Sequence, residues 1–271
     1  MEEKTVNTLI NIGQSKIAEK VYDDLVSLPA KKVGMALSTI VEIGNTVLWP
    51  VKWVNERTRI YFETNIKKYE ERLNQISETD ITNVPTEISM PILHRFTYLS
   101  NKELSNAFVN LLASASSTAT VDKVHPGFIY TIDRLAPDEA KILAYLKYKE
   151  DIPVLEIKFY EDIKERNFEH IALNVTGIQN KVKLDNPLNI DLYLDNLISL
   201  GLIKIVDYYN TDLDDEYIEI QDGLKSEIEK YRKLGVEDDT FNKQVRTEKH
   251  MYSVTNYGRL FLDTCIDSNN E

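Results

Sequence analysis

One stretch, HPGFIYTIDRLAPDEAKILAYL from His125 to Leu146, constrains the architecture most, because two prolines fix where its helices start. Phe128, Ile129, Ile132 and Leu135 recur at i, i+1, i+4 and i+7, one face of a helix. Pro126 stands where a first turn tolerates a missing N–H. Ala136 breaks the run, and Pro137, Asp138 and Glu139 restart it, with acids at the positive end of the new helix dipole. This joint predicts a chain in two parts: a helical N-terminal region over 1–124 and a mixed region over 125–271.

The N-terminal part reads as successive helices. Ile17, Val21, Leu25 and Leu28 step by four, four and three until Pro29 interrupts. In the next helix, from about Ala30 to Trp49, the apolar face holds Val33, Leu37, Ile40, Val41, Val47 and Leu48. From Val33 to Val51 only Glu42 is charged, and nineteen residues at 1.5 Å approach the ~30 Å hydrocarbon core of a bilayer. An acid at the centre of that span costs roughly 3 kcal/mol. The expectation is therefore a buried helix of a bundle, with peripheral membrane contact through Val33–Trp49 as the alternative. Lys31, Lys32, Trp49, Lys52 and Trp53 flank it as interfacial anchors do. A long helix from about Val51 follows, with Phe62, Ile66, Tyr69, Leu73 and Ile76 as a heptad-like seam. That seam packs on an antiparallel neighbour or on a second subunit. Two more helices are expected, one using Ile92, Leu93, Phe96 and Leu99. The other uses Leu104, Ala107, Phe108, Leu111, Leu112 and Ala115; Ser100 and Asn101 are cap-type residues before it, and Glu103 stands at a capping-box spacing from Ser100.

The C-terminal part changes period. Leu155, Ile157 and Phe159 alternate with Glu156 and Lys158 as in a half-buried strand. Residues 160–185 predict a short helix near 161–166 and a polar loop. Asn186 and Pro187 suit the start of a helix ending at Leu200, with Gly201 as its left-handed stop. LIKIVDY and HMYSV read as strands, and Thr255 caps a last helix carrying Tyr257, Leu260, Phe261 and Cys265. The fold class is mainly α with a small β component, α+β. The C-terminal domain is winged-helix-like, with an insertion around 207–247.

Charge bears directly on whether such a module reads DNA. The net charge is −12, and it is uneven: 14 Lys and Arg face 15 Asp and Glu before His125, leaving 18 against 29 after it. The helix at the recognition position holds Asp191 and Asp195 and no base. The expected wing, 207–222, holds seven acids and no base. Phosphate contacts need Lys and Arg there, so nucleic acid is excluded as a partner and a protein is favoured. The acids Asp212, Asp214, Asp215 and Glu216 lack the glycine of a calcium loop and read as a solvated turn.

No phosphate-binding glycine loop, nucleophile elbow or H-E-x-x-H motif occurs. His125 beside Asp133 or Glu139 reads as a helix-start hydrogen bond before it reads as an acid–base pair. His94, His125, His170, His250 and Cys265 show no paired ligand spacing, so no metal or other cofactor is expected. The lone cysteine suits a reducing cytosol, and MEEKTVNTL has no leader pattern. The protein is expected to be no enzyme, cytoplasmic, and able to form a homo-oligomer.

LSNAFVNLLASASS, then VHPGFIYTIDRLAPDEAKIL, then the closing winged-helix-like segment resemble the abortive-infection alpha family of bacteria. Its helix ending in Leu-Leu-Ala-Ser matches Leu111–Ser114, its His-Pro-x-Phe step matches His125–Phe128, and its Leu-Ser-Pro-Asp-Glu-Ala helix start matches Leu135–Ala140 with Ala136 in place of Ser. The resemblance covers roughly residues 17–265 and makes His125, Pro126, Phe128, Pro137, Asp138 and Glu139 motif residues, for structure or partner contact. It implies defence against phage and supplies no catalytic residues. A winged-helix regulator and a membrane-perturbing toxin are the competing expectations.

Overall fold

The computed structural model describes residues 56–160, 168–208, 210–234 and 245–267. Among them are eight α-helices and one four-stranded antiparallel sheet, an α+β fold. The described residues divide into two compact units: 56–137 with 260–267, and the rest of 138–259. The expected helices before 56, including Val33, Leu37, Ile40, Val41, Val47, Leu48 and Trp49, lie outside the described residues, as does the short helix expected near 161–166.

The first unit is helical. Helix α1 (Glu56–Leu73) buries the seam Phe62, Ile66, Tyr69 and Leu73. It packs within the unit on α2 (Thr86–Phe96) and α3 (Lys102–Ala115). A buried Asn65 sits in that seam. Its amide donates to the carbonyls of Phe96 and Leu99, and its oxygen accepts from Ser105. A buried amide is tolerated only when satisfied in this way, and these bonds fix where α2 ends against α1. The cap of α3 is Asn101, whose side chain accepts from the Leu104 N–H at 3.0 Å. The capping residue is thus Asn101 and not Ser100. Helix α4 (Gly127–Asp133) then buries Phe128, Ile129 and Ile132 against α3. The loop after α1 is pinned to the end of α3 by Thr82 N–H to Ser116 and Thr118 N–H to Asp80, both 2.8 Å.

In the second unit the sheet order is β2-β1-β4-β3, for β1 (Asp151–Tyr160), β2 (Phe168–Val175), β3 (Ile203–Val206) and β4 (Val245–Val254). Helix α5 (Pro137–Leu146) precedes β1 and helix α6 (Ile190–Ser199) precedes β3. Two expectations fail here. FEHIALNV is a strand where a polar loop was expected. The acidic wing is no strand-flanked loop: its residues from Asp214 to Asp222 open a 21-residue helix, α7 (Asp214–Leu234), behind a 3-10 turn at Thr211–Leu213. Leu213, Tyr217 and Ile220 bury against Leu155 of β1, and the Tyr217 hydroxyl donates to the His250 carbonyl at 2.5 Å. That apolar contact outweighs the repulsion among the acids at the start of α7.

The link from α6 to β3 follows the expectation. Gly201 has φ of +70°, its N–H reaches Ile198 at 2.8 Å, and the N–H of the buried Leu202 reaches Leu197 at 3.0 Å. This paired bonding closes the helix end and turns the chain into β3. The last helix, α8 (Asn256–Cys265), starts beside it, where the Thr255 hydroxyl accepts from the Gly258 N–H at 2.9 Å. A Cβ on Gly258 would stand 2.0 Å from the Leu202 carbonyl oxygen, so only glycine fits.

Candidate functional site

His125 and Phe128 build the start of α4. The His125 Nδ1 accepts from the Gly127 N–H at 2.9 Å, and its ring lies 5.7 Å from that of Phe128. Phe128 is fully buried, with its ring 5.4 Å from Phe261 and nearly perpendicular to it. Pro126 sits at the N-cap position of α4 with φ of −56°. The carboxylates considered as partners for His125 are engaged elsewhere: Asp133 takes both guanidinium arms of Arg95, and Glu139 takes Asn196. The arrangement is that of a helix start.

Pro137, Asp138 and Glu139 open α5, and the two acids do more than complement its dipole. Both are 2% exposed. One Asp138 oxygen accepts from the Asp185 N–H and the Lys141 ammonium, each at 2.9 Å. The other accepts from the Asn186 N–H at 2.8 Å and the Tyr193 hydroxyl at 3.2 Å. Burial by itself would raise this carboxyl, but the two backbone donors and Lys141 override it and bring it from 3.8 to about 2. Glu139 accepts from the Asn196 amide with both oxygens, at 3.0 and 2.9 Å. The pair therefore holds the entry to α6 and the middle of α6 itself, through partners about fifty residues away. Sequence reading placed these acids correctly on a helix start, but no local pattern announces such distant partners.

What this clamp holds is an unusual surface. The buried side of α6 is Tyr193, Leu194 and Leu197. The opposite side runs Asp191, Leu192, Asp195 and Ser199, continued by Leu188 in the 3-10 turn 187–189 before the helix, all exposed. Leu188 is 96% exposed and Leu192 64%. Burial pushes the Tyr252 phenol up to about 12, and the charges of Asp195, Asp191 and Glu156 add to it.

The acids of 207–222 are less free than their density suggests. Asp214 pairs with Lys249 at 2.8 Å, Glu216 with Lys149, Glu219 with Lys181 at 2.7 Å and Asp222 with Lys225 at 2.7 Å. Asp214 and Glu216 thus have ammonium partners where a calcium loop would need them bare. A cleft of about 150 Å³ opens between α7 and the 175–181 turn, lined by Tyr145, Thr176, Gln179, Glu219 and Ile220. Residues able to hold a metal do come together, although the sequence shows no paired ligand spacing: Glu156, Glu248 and His250 converge on the sheet. Cys265 is buried in α8. Among the described residues, no helix is long and apolar enough to cross a membrane.

Comparison with known proteins gives one family and one distant likeness. A solved structure of an uncharacterized protein from the hydrocarbon-degrading marine bacterium Alcanivorax borkumensis SK2 is 15% identical, over 54% of this chain and 94% of that one. Its TM-score is 0.32, too low to carry an argument. No curated protein matches. The family described as abortive infection alpha matches residues 61–265, a span that includes the α4–α5 joint, the clamp and the whole sheet. The chain belongs to the abortive infection alpha family, whose context is bacterial defence against phage.

Proposed function

We propose that the protein acts in phage defence without catalysing a reaction, by docking a protein partner of host or phage on the exposed stripe of α6. The observation that carries this is Leu192 at 64% exposure between Asp191 and Asp195, continued by Leu188 at 96% in the 3-10 turn that leads into α6. Apolar side chains flanked by acids suit a basic amphipathic segment, whose own apolar face covers the leucines while its Lys and Arg meet the aspartates. Clamping α6 through Asp138 and Glu139 supports the same reading, since a rigid helix binds with less ordering cost. The alternative of a DNA-binding regulator fares worse. Affinity for a duplex rests on Lys and Arg at the phosphates, and α6 carries neither.

The site of action is the cytoplasm, and peripheral contact of the 33–49 stretch with the inner membrane is the alternative to its burial in a helical bundle. Homo-oligomers through the same stripe are disfavoured, because two acidic faces repel. Expression from its own promoter, followed by plating of a broad phage panel, tests the defence role. Fewer plaques than in an empty-vector strain are expected, and equal counts across the panel would remove it. An electrophoretic shift with genomic fragments at low salt tests the regulator reading. Retardation of a discrete fragment would replace protein docking with DNA binding.

A further inference from the structure

The polar face of the sheet carries an arrangement that the defence reading does not use. In the register of β1 and β4, Glu156 stands directly opposite Glu248, and Val154 opposite His250. Two carboxylates facing each other across an antiparallel pair repel, so this placement calls for a cation. His170, from β2, brings its Nε2 to 3.8 Å from Glu156, and His250 brings its Nε2 to 3.7 Å from Glu248. The candidate ligand atoms of Glu156, Glu248 and His250 lie within 4.8 Å of one another. The Lys158 ammonium currently supplies the positive charge, 3.1 Å from Glu156 and 2.5 Å from Glu248.

His250 is what lysine leaves unexplained. Its side chain is 18% exposed, and both ring nitrogens are buried with no hydrogen-bond partner among the described residues. At 3.7 Å, the Glu248 oxygen is beyond hydrogen-bond reach. An imidazole always carries at least one N–H and one further N–H or lone pair, so two buried and unmet nitrogens beside two carboxylates suit a ligand that accepts a nitrogen lone pair. The Lys158 ammonium is held by Glu156 and Glu248 and makes no hydrogen bond to this ring, whereas a metal ion between the carboxylates would take the lone pair directly. Tetrahedral zinc with bonds of about 2.0–2.1 Å holds its ligand atoms about 3.3 Å apart; His250 and Glu248 are 3.7 Å apart, and all three ligand atoms lie within 4.8 Å of one another.

We infer that Glu156, Glu248 and His250 form a site for one divalent transition metal of the zinc class, which takes the place of the Lys158 ammonium. The mixed imidazole and carboxylate set favours zinc, cobalt or manganese over magnesium and calcium, which prefer oxygen alone. The metal would tie β1 to β4, whose register brings Glu156 opposite Glu248.

The test is titration of the metal-free full chain with Zn²⁺ by calorimetry and with Co²⁺ by visible absorption. One equivalent should bind, with cobalt bands of a low-coordinate site. Affinity should fall at least tenfold in His250→Ala and in Glu248→Gln. It should rise in Lys158→Met, because the competing ammonium is gone. Circular dichroism confirms that each variant is folded, and the wild-type titration stands whatever the variants do. Absence of saturable binding to the wild-type chain overturns the inference. So does binding that is unchanged in His250→Ala and Glu248→Gln, or Mg²⁺ binding as tight as Zn²⁺.

Discussion

Asp138→Ala should destabilise the protein by about 3 kcal/mol, and the reasoning is specific to where that carboxylate sits. Four donors converge on it: the N–H groups of Asp185 and Asn186, the Tyr193 hydroxyl and Lys141. Hydrogen bonds to a charged group contribute roughly 1.5–3 kcal/mol each. The sum overstates the loss, because 185 and 186 lie in an exposed turn and their N–H groups can turn to water, while Lys141 keeps Asp185 at 2.8 Å. Asp138→Asn keeps one acceptor and loses the charge, so about 2 kcal/mol is expected. Acidity gives an independent check. The carboxyl titrates at about 2 in the folded protein against 3.8 ordinarily, so the unfolded chain binds the extra proton across that interval. Its contribution, roughly 2 kcal/mol for nearly two pKa units, is complete above about pH 4 and disappears as pH falls through 2. Urea denaturation at pH 7 measures the first quantity. The slope of stability between pH 4 and pH 2, wild type against Asp138→Asn, measures the second. A loss under 1 kcal/mol for Asp138→Ala, or the same acid slope in both proteins, would refute the clamp.

Gly258→Ala would place a methyl 2.0 Å from the Leu202 carbonyl oxygen. The start of α8 must then shift by about an ångström, costing roughly 1–3 kcal/mol in the urea midpoint. Phe128→Ala removes a fully buried ring set edge-on to Phe261, and a loss of about 3–5 kcal/mol in the same assay is expected. Asn101→Ala should cost about 1 kcal/mol, because the side chain caps α3. Ser100→Ala should be neutral within about 0.5 kcal/mol, and the opposite ranking would return the cap to Ser100.

Periodicity made the helical unit readable. The seam Phe62, Ile66, Tyr69, Leu73 and the face of α3 from Ala107 to Ala115 are core residues because a helix with one apolar stripe has one way to bury it. Gly201 and Thr255 were equally legible, since local backbone geometry demands them. What escaped notice depends on distance or on competing signals. The acids at the start of α7 drew attention to charge, although Leu213, Tyr217, Ile220 and Leu224 already step at helical spacing. In β2, Phe168 and Leu173 are exposed, so the strand shows no clean alternation. The clamp joins Asp138 and Glu139 to partners at 185–196, and the Glu156–Glu248–His250 group spans β1 and β4. Pairs separated by fifty to ninety residues leave no periodic trace.

The double variant Leu188→Ser/Leu192→Ser, plated against a phage that the wild-type protein restricts, asks most directly whether the α6 stripe is the working surface. Both side chains are solvent-facing, so thermal unfolding should match wild type within about 0.5 kcal/mol. The account predicts that protection is lost while the melt and the expression level are unchanged. Full protection by a variant that has lost both leucines would contradict it.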